Sequence, residues 1–147
     1  MELGIRGRRA LMLASSGGLG LASAMALARE GVEVCVSSSD LGRAEAAARN
    51  IADATGGTAV GLKGDLSDPA NMETLYRDAT DALGGAPDIL FNNHGGPPLK
   101  TALEVGQDDL RAQAERMLFS QIAMTQLAVP AMRERKWGRI VMVGAAG

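Results

Sequence analysis

The stretch Ala10-Leu11-Met12-Leu13-Ala14-Ser15-Ser16-Gly17-Gly18-Leu19-Gly20 decides how the rest of the chain is read. Ala10 to Ala14 form a short unbroken apolar run that gives way at once to hydroxyls and glycines. Such a run, bounded by a turn, is the pattern of a strand buried on both faces. Leu19, Ala22, Ala26 and Leu27 then recur at helical spacing on one side, and Gly31 stands where a helix would end. A strand, a tight glycine turn and a helix in that order let the backbone approach a pyrophosphate, whose charge meets the helix N-terminal amides and dipole. Gly18 and Gly20 are the critical pair.

Outward from this unit the same alternation repeats. Val32 to Val36 reads as a second strand, followed by a helix capped by Ser39 or Asp40, carrying Ala44, Ala47, Ala48 and Ile51 inward and stopped by Gly56-Gly57. Thr58 to Leu62 is a third strand. Asp68-Pro69 is expected to cap and open a helix with Met72, Leu75, Tyr76, Ala79 and Leu83 buried, ended by Gly84-Gly85. Asp88 to Phe91 is a fourth strand. A Gly- and Pro-rich loop, Gly95 to Leu99, leads to a long helix from about Asp108 to Arg135 with Leu110, Ala114, Met117, Leu118, Ile122, Thr125 and Val129 inward and a kink at Pro130. Arg139 to Val143 is the fifth strand.

Alternating strands and helices predict an α/β class, a doubly wound parallel sheet of Rossmann type in the order 3-2-1-4-5, with ligands at the carboxyl ends near the switch between strands one and four. The fifth strand would then be an apolar edge that invites pairing. No linker, repeat or low-complexity segment divides residues 1–147, so one domain is expected.

Bulk properties narrow the classes. A formal net charge of −2 leaves neither a basic nucleic-acid footprint nor an acidic tail. Cys35, the single cysteine, excludes a disulfide framework and reads as a small buried hydrophobe. Arg6, Arg8 and Arg9 precede an apolar run too short for a secretory signal or a membrane span, so a cytoplasmic protein is expected.

The residues resemble the short-chain dehydrogenase/reductase family, whose turn reads Thr-Gly-x-x-x-Gly-x-Gly. Gly18 and Gly20 match its last two glycines, while Leu13 and Ala14 replace the first two positions. Asp65-Leu66 followed by Asp68 resembles the segment after strand three, where the resemblance implies that the first aspartate meets the adenine. Asn92-Asn93-His94-Gly95 resembles the Asn-Asn-Ala-Gly motif after strand four, and Trp137-Gly138-Arg139-Ile140-Val141 the lead into strand five. Any one match could be chance; all of them in register are not.

The resemblance implies a nicotinamide dinucleotide held by Ser15, Ser16, Gly18, Leu19, Gly20, Ser38, Ser39, Arg43, Asp65, Leu66, Asn93, His94 and Gly95. An NAD site places a carboxylate at the end of strand two, which would repel a 2′-phosphate. Ser38 stands there, with Ser37, Ser39 and Arg43 nearby, so NADP is favoured over NAD. The same serines are also compatible with a plain polar loop before an Asp40 cap.

Catalysis in the family uses a Tyr-x-x-x-Lys pair, a serine and an asparagine. The only tyrosine, Tyr76, has Thr80 four residues on, Ala145 falls at the serine position and Met117 at the asparagine position. The expectation is the front half of a carbonyl or alcohol reductase of the 3-oxoacyl type, truncated and inactive as 147 residues, with small carbonyl or alcohol substrates in complete relatives. His94 is a candidate acid/base but more naturally a residue of the cofactor loop. The alternative is a non-catalytic dinucleotide-binding or strand-pairing protein, with a homo-oligomer compatible with either. A methyltransferase is disfavoured because the first loop lacks the expected acidic residue.

Overall fold

The computed structural model describes residues 2–144. Strands β1 (Arg9–Met12), β2 (Glu33–Ser38), β3 (Ala59–Lys63), β4 (Ile89–Asn92) and β5 (Arg139–Met142) alternate with helices α1 (Gly18–Arg29), α2 (Leu41–Thr55) and α3 (Asn71–Ala82), then α4 (Gln107–Ala114) and α5 (Ser120–Glu134). All strands are parallel in the order β3-β2-β1-β4-β5, as expected. In the centre Leu11 aligns with Cys35 on one side and Leu90 on the other.

Strand alternation divides the core into two layers. Ala10, Met12, Val34, Val36, Ile89 and Phe91 face α1 and α2, where Ala24, Ala28, Ala47, Ala48 and Ile51 meet them. Leu11, Leu13, Cys35 and Leu90 face α3 and α5, against Met72, Leu75, Ala79, Met124, Ala128 and Met132. This two-sided burial explains why the strands read as continuous apolar runs.

Small residues set the closeness of the layers. A Cβ on Gly61 of β3 would collide with the backbone of Ala44, so α2 lies directly on that strand. A Cβ on Gly138 would stand 2.5 Å from the Met132 sulfur, which lets the chain fold back from α5 into β5.

Three helix expectations are corrected. In α1 the inward residues are Gly20, Ala24 and Ala28, while Leu19 is 62% exposed and Ala22 and Ala26 also face out. The helix is apolar nearly all round, and side-chain size, not hydrophobicity, selects the face that seats on the sheet. The helix after β3 begins at Asn71, because Asp68 spends its side chain on the Ala70 N–H at 2.9 Å and closes a turn ahead of it. The long helix carries a π-helical segment at Glu115–Phe119, and its inward face is Ser120, Gln121, Met124, Ala128 and Met132. Leu110, Leu118 and Ile122 are exposed, and Ala114, Met117, Thr125 and Val129 are half-buried. Its two faces are both apolar, so docking against α3 chooses between them. α5 continues through Pro130.

β5 forms the sheet edge, with Ile140, Val141 and Met142 at 39%, 43% and 58% exposure. At the opposite, amino end of the sheet, buried Asp88 accepts the Arg9 backbone N–H at 3.0 Å and pairs with Arg8 at 3.5 Å and Arg135 at 3.3 Å. Trp137 carries the guanidinium of Arg8 over its ring at 4.0 Å. This clasp ties the start of β1 to the end of α5, away from the carboxyl ends of the strands.

Candidate functional site

The turn after β1 is held by bonds on every side. Ser15 is fully buried; its hydroxyl donates to the Leu13 carbonyl at 2.7 Å and its N–H to the Ser37 carbonyl at 2.9 Å. Across the switch between β1 and β4, the Asn93 side-chain amide donates to the Ala14 carbonyl at 3.0 Å. The turn is thus fastened to the neighbouring loops before any ligand arrives.

Ala14 has φ +47°, in the left-handed region that favours glycine. The motif that this turn resembles has a glycine here, and this chain holds a Cβ in the same conformation under strain. Gly18 has φ +54° with nothing within 4 Å of a Cβ, so its backbone conformation, not crowding, calls for glycine. Gly20 is the reverse: a Cβ there would stand 2.5 Å from the Ser15 Oγ. Gly17 caps α1 with no side chain spent on its first N–H groups, which therefore face outward. Uncapped helix amides at an open glycine turn are a fitting seat for a phosphate.

Beside this turn lies a cleft of about 240 Å³, lined by Ala14, Ser16, Ser38, Ser39, Arg43 and Asp65, with Gly64, Leu66, Gly95 and Arg116. Its walls come from the carboxyl ends of β1 to β4 and the loops after them, from the first turn of α2 and from the π-helical segment, on the side where a doubly wound sheet binds its ligands. Ser38 is 5% exposed and its hydroxyl accepts the Asp40 N–H at 3.3 Å. Asp40 is the α2 cap, accepting the Arg43 N–H at 2.7 Å, which starts the helix so that Arg43 lies at the cleft. Ser37 lies inside the sheet, donating to the Met12 carbonyl at 3.2 Å, and is structural.

Asp65 is held below the usual carboxylate range, first by the Ser67 backbone N–H at 2.9 Å, then by the Ser67 hydroxyl and by the charges of Arg116 and Lys63, against slight desolvation. It therefore stays ionised and acceptor-only at neutral pH.

The cleft gathers Ser16, Ser38, Ser39, Arg43, Asp65, Leu66 and Gly95 of the expected set. Ser15, Gly18 and Gly20 shape the turn beside it. Leu19 points to solvent and does not line it. Asn93 serves as the brace on Ala14. His94 is half-buried, and its Nδ1 accepts the Gly96 N–H at 3.1 Å, which folds the loop after β4.

Arg116 and Gly64 were not among the expected residues. The signal for Arg116 was its place one turn before Ser120, but only knowledge of where that helix docks makes it legible. Tyr76 lies half-buried on α3, packed against the layer of Leu11, Cys35 and Leu90. Met117 sits in the π-helical segment, and a thioether there offers no proton. Ala145 lies outside the described residues.

A family model described as short chain dehydrogenase matches residues 8–147. D-beta-hydroxybutyrate dehydrogenase of Cupriavidus necator is 37% identical over 142 residues, spanning 96% of this chain and 54% of that protein. Among solved structures, L-sorbose reductase from Gluconobacter frateurii complexed with NADPH and L-sorbose superposes with a TM-score of 0.87 at 29% identity, over 95% of this chain and 53% of its own. A 3-oxoacyl (acyl-carrier-protein) reductase from Agrobacterium tumefaciens with NADP bound gives 0.87 at 37% identity, over 96% and 54%. The chain spans about half the length of the relatives it matches. With its glycine turn, its parallel sheet order and a family match over residues 8–147, the chain belongs to the short chain dehydrogenase family.

Proposed function

We propose that residues 1–147 are one dinucleotide-binding domain that holds NADP(H) at the carboxyl end of its sheet, and that they do not by themselves carry out hydride transfer. The observation that carries the reading is the cleft lined by Ser38, Ser39 and Arg43 together with Ala14 and Ser16, the residues that lead into the uncapped N-terminus of α1. The α1 amides and Ser16 would receive the pyrophosphate. Ser38, Ser39 and Arg43 would receive a 2′-phosphate, since β2 ends in hydroxyls where a carboxylate would repel it. Asp65 and Leu66 would border the adenine, and Asn93, His94 and Gly95 the nicotinamide end. Bound NADPH supplies a hydride for a carbonyl; the chain's own part is to bind and orient it.

The reading without turnover rests on proton delivery. Tyr76 stands on α3 with Thr80 beyond it, its backbone carbonyl accepting the Thr80 hydroxyl at 2.8 Å, and Met117 cannot relay a proton. Small carbonyl or alcohol substrates are proposed for the longer relatives' kind of chain, and a cytoplasmic setting is proposed with them; no described helix is long and apolar enough to cross a membrane. Titration of the purified chain with NADPH and NADH, alongside a ketone panel, tests this. Tighter NADPH binding without turnover is expected; turnover would overturn the inactive reading, and absence of binding the cofactor reading.

A second reading, pairing through β5, is favoured by the exposure of Ile140, Val141 and Met142 at the edge. A clean monomer on gel filtration at high concentration would sink it.

A further inference from the structure

Resting on the cofactor reading above, we infer that Arg116 is a second cationic determinant of the cleft, acting with Arg43 to select a 2′-phosphorylated adenosine end over an unphosphorylated one. The two arginines line one cleft from separate elements, Arg43 from the first turn of α2 and Arg116 from the π-helical segment. Single π turns inside α-helices are rare and concentrate at functional sites.

The position of Arg116 is fixed by its neighbours. Ser120, one helical turn on, is fully buried and donates its hydroxyl to the Leu66 carbonyl at 2.8 Å. That bond seats the turn carrying Arg116 against the loop that brings Asp65 and Leu66 into the cleft. Asp65 feels the Arg116 charge, yet its carboxylate already accepts the Ser67 N–H. Among the described residues Arg116 closes no ion pair within 4.0 Å, whereas Arg8, Arg77, Arg111 and Arg135 do. An exposed arginine in the lining of a cleft, its charge felt but not consumed by a carboxylate, is available to a phosphate.

Asp65 also gives selectivity its sign. Without Arg116 the cleft would hold one guanidinium against one carboxylate, and a dianionic 2′-phosphate would gain little over a hydroxyl. With it the balance turns positive, and a group bearing two charges benefits more than one bearing none.

The test compares adenosine 2′,5′-bisphosphate with adenosine 5′-phosphate, and NADPH with NADH, on the whole chain and on R43Q, R116Q and R116K, with thermal melts to confirm folding. R116Q should weaken the 2′-phosphorylated ligands by about three- to tenfold and the others by less than about twofold, while R116K retains most of the preference. Raising the salt should shrink the difference. Equal weakening of both ligand classes would make Arg116 a mere support of the Asp65 loop and overturn the inference. So would no change in R116Q when R43Q alone loses the preference, an outcome that leaves the cofactor reading intact. Failure of the unaltered chain to bind any of these nucleotides would overturn both.

Discussion

The Ser120 hydroxyl donates a 2.8 Å hydrogen bond to the backbone carbonyl of Leu66, joining the start of α5 to the loop after β3 across 54 residues of sequence. Both residues are buried, so the bond has no ready substitute from solvent. Ser120→Ala should lower unfolding free energy by about 1–3 kcal/mol, seen as a lower denaturant midpoint with unchanged slope. It should also weaken dinucleotide binding, because the loop bearing Asp65 loses its anchor. A variant as stable as the parent would show that the carbonyl finds another donor.

Gly17 and Gly20 should respond oppositely to alanine. At Gly20 the new Cβ would lie 2.5 Å from the Ser15 Oγ and 2.7 Å from its Cα, with backbone on both sides of the conflict. Gly20→Ala should cost about 1–3 kcal/mol and abolish cofactor binding, since the turn must open to admit the methyl. Gly17 has extended backbone, φ −162°, and nothing within 4 Å. Gly17→Ala should melt within a few degrees of the parent. Equal melting temperatures for the two variants would contradict the packing of α1 on the turn.

Ala14→Gly should stabilise the protein. The left-handed conformation at φ +47° costs an L-residue about 1–2 kcal/mol, and the added freedom of glycine in the unfolded chain takes back about 0.4–1. The net expectation lies between no change and a gain of about 1.6 kcal/mol, read by chemical denaturation. A loss would mean that the Ala14 methyl contributes packing beyond its half-buried position.

Burial pushes the Cys35 thiol up from 9.0 to about 12. The folded state keeps its proton where the unfolded chain releases it, so the contribution is fully present below the unfolded value and is lost as pH rises from about 9 towards 12. Across that window the parent should lose stability faster than Cys35→Ala, by up to about 1.4 kcal/mol per pH unit. Parallel stability curves would remove the argument. The native thiol should also resist alkylation at pH 8 until the protein is unfolded.

Most of the architecture is legible in the sequence. The apolar runs Ala10 to Ala14, Val34 to Val36 and Ile89 to Phe91 located central strands because a sheet covered on both faces needs no alternation, and connection rules then set the order. Strand ends shifted by only a residue or two, as hydrogen bonding extended β2 through Ser38. The glycine turn was legible too, because Gly18 and Gly20 meet constraints of backbone conformation and close approach that few other residues satisfy.

What the sequence determined by itself, then, was the sheet, its order and the glycine turn, all consequences of local hydrophobic pattern and backbone sterics. Tertiary structure alone decided which helix faces turn inward and which side chains meet at the cleft. α1 and α5 are apolar on more than one face, so periodicity cannot choose between Leu19 and Gly20, or between Ile122 and Met124; the fit of small residues against the sheet does. For the same reason Arg116 reaches the cleft only through the docking of α5 on the loop at Leu66, a contact between distant residues that no local pattern encodes.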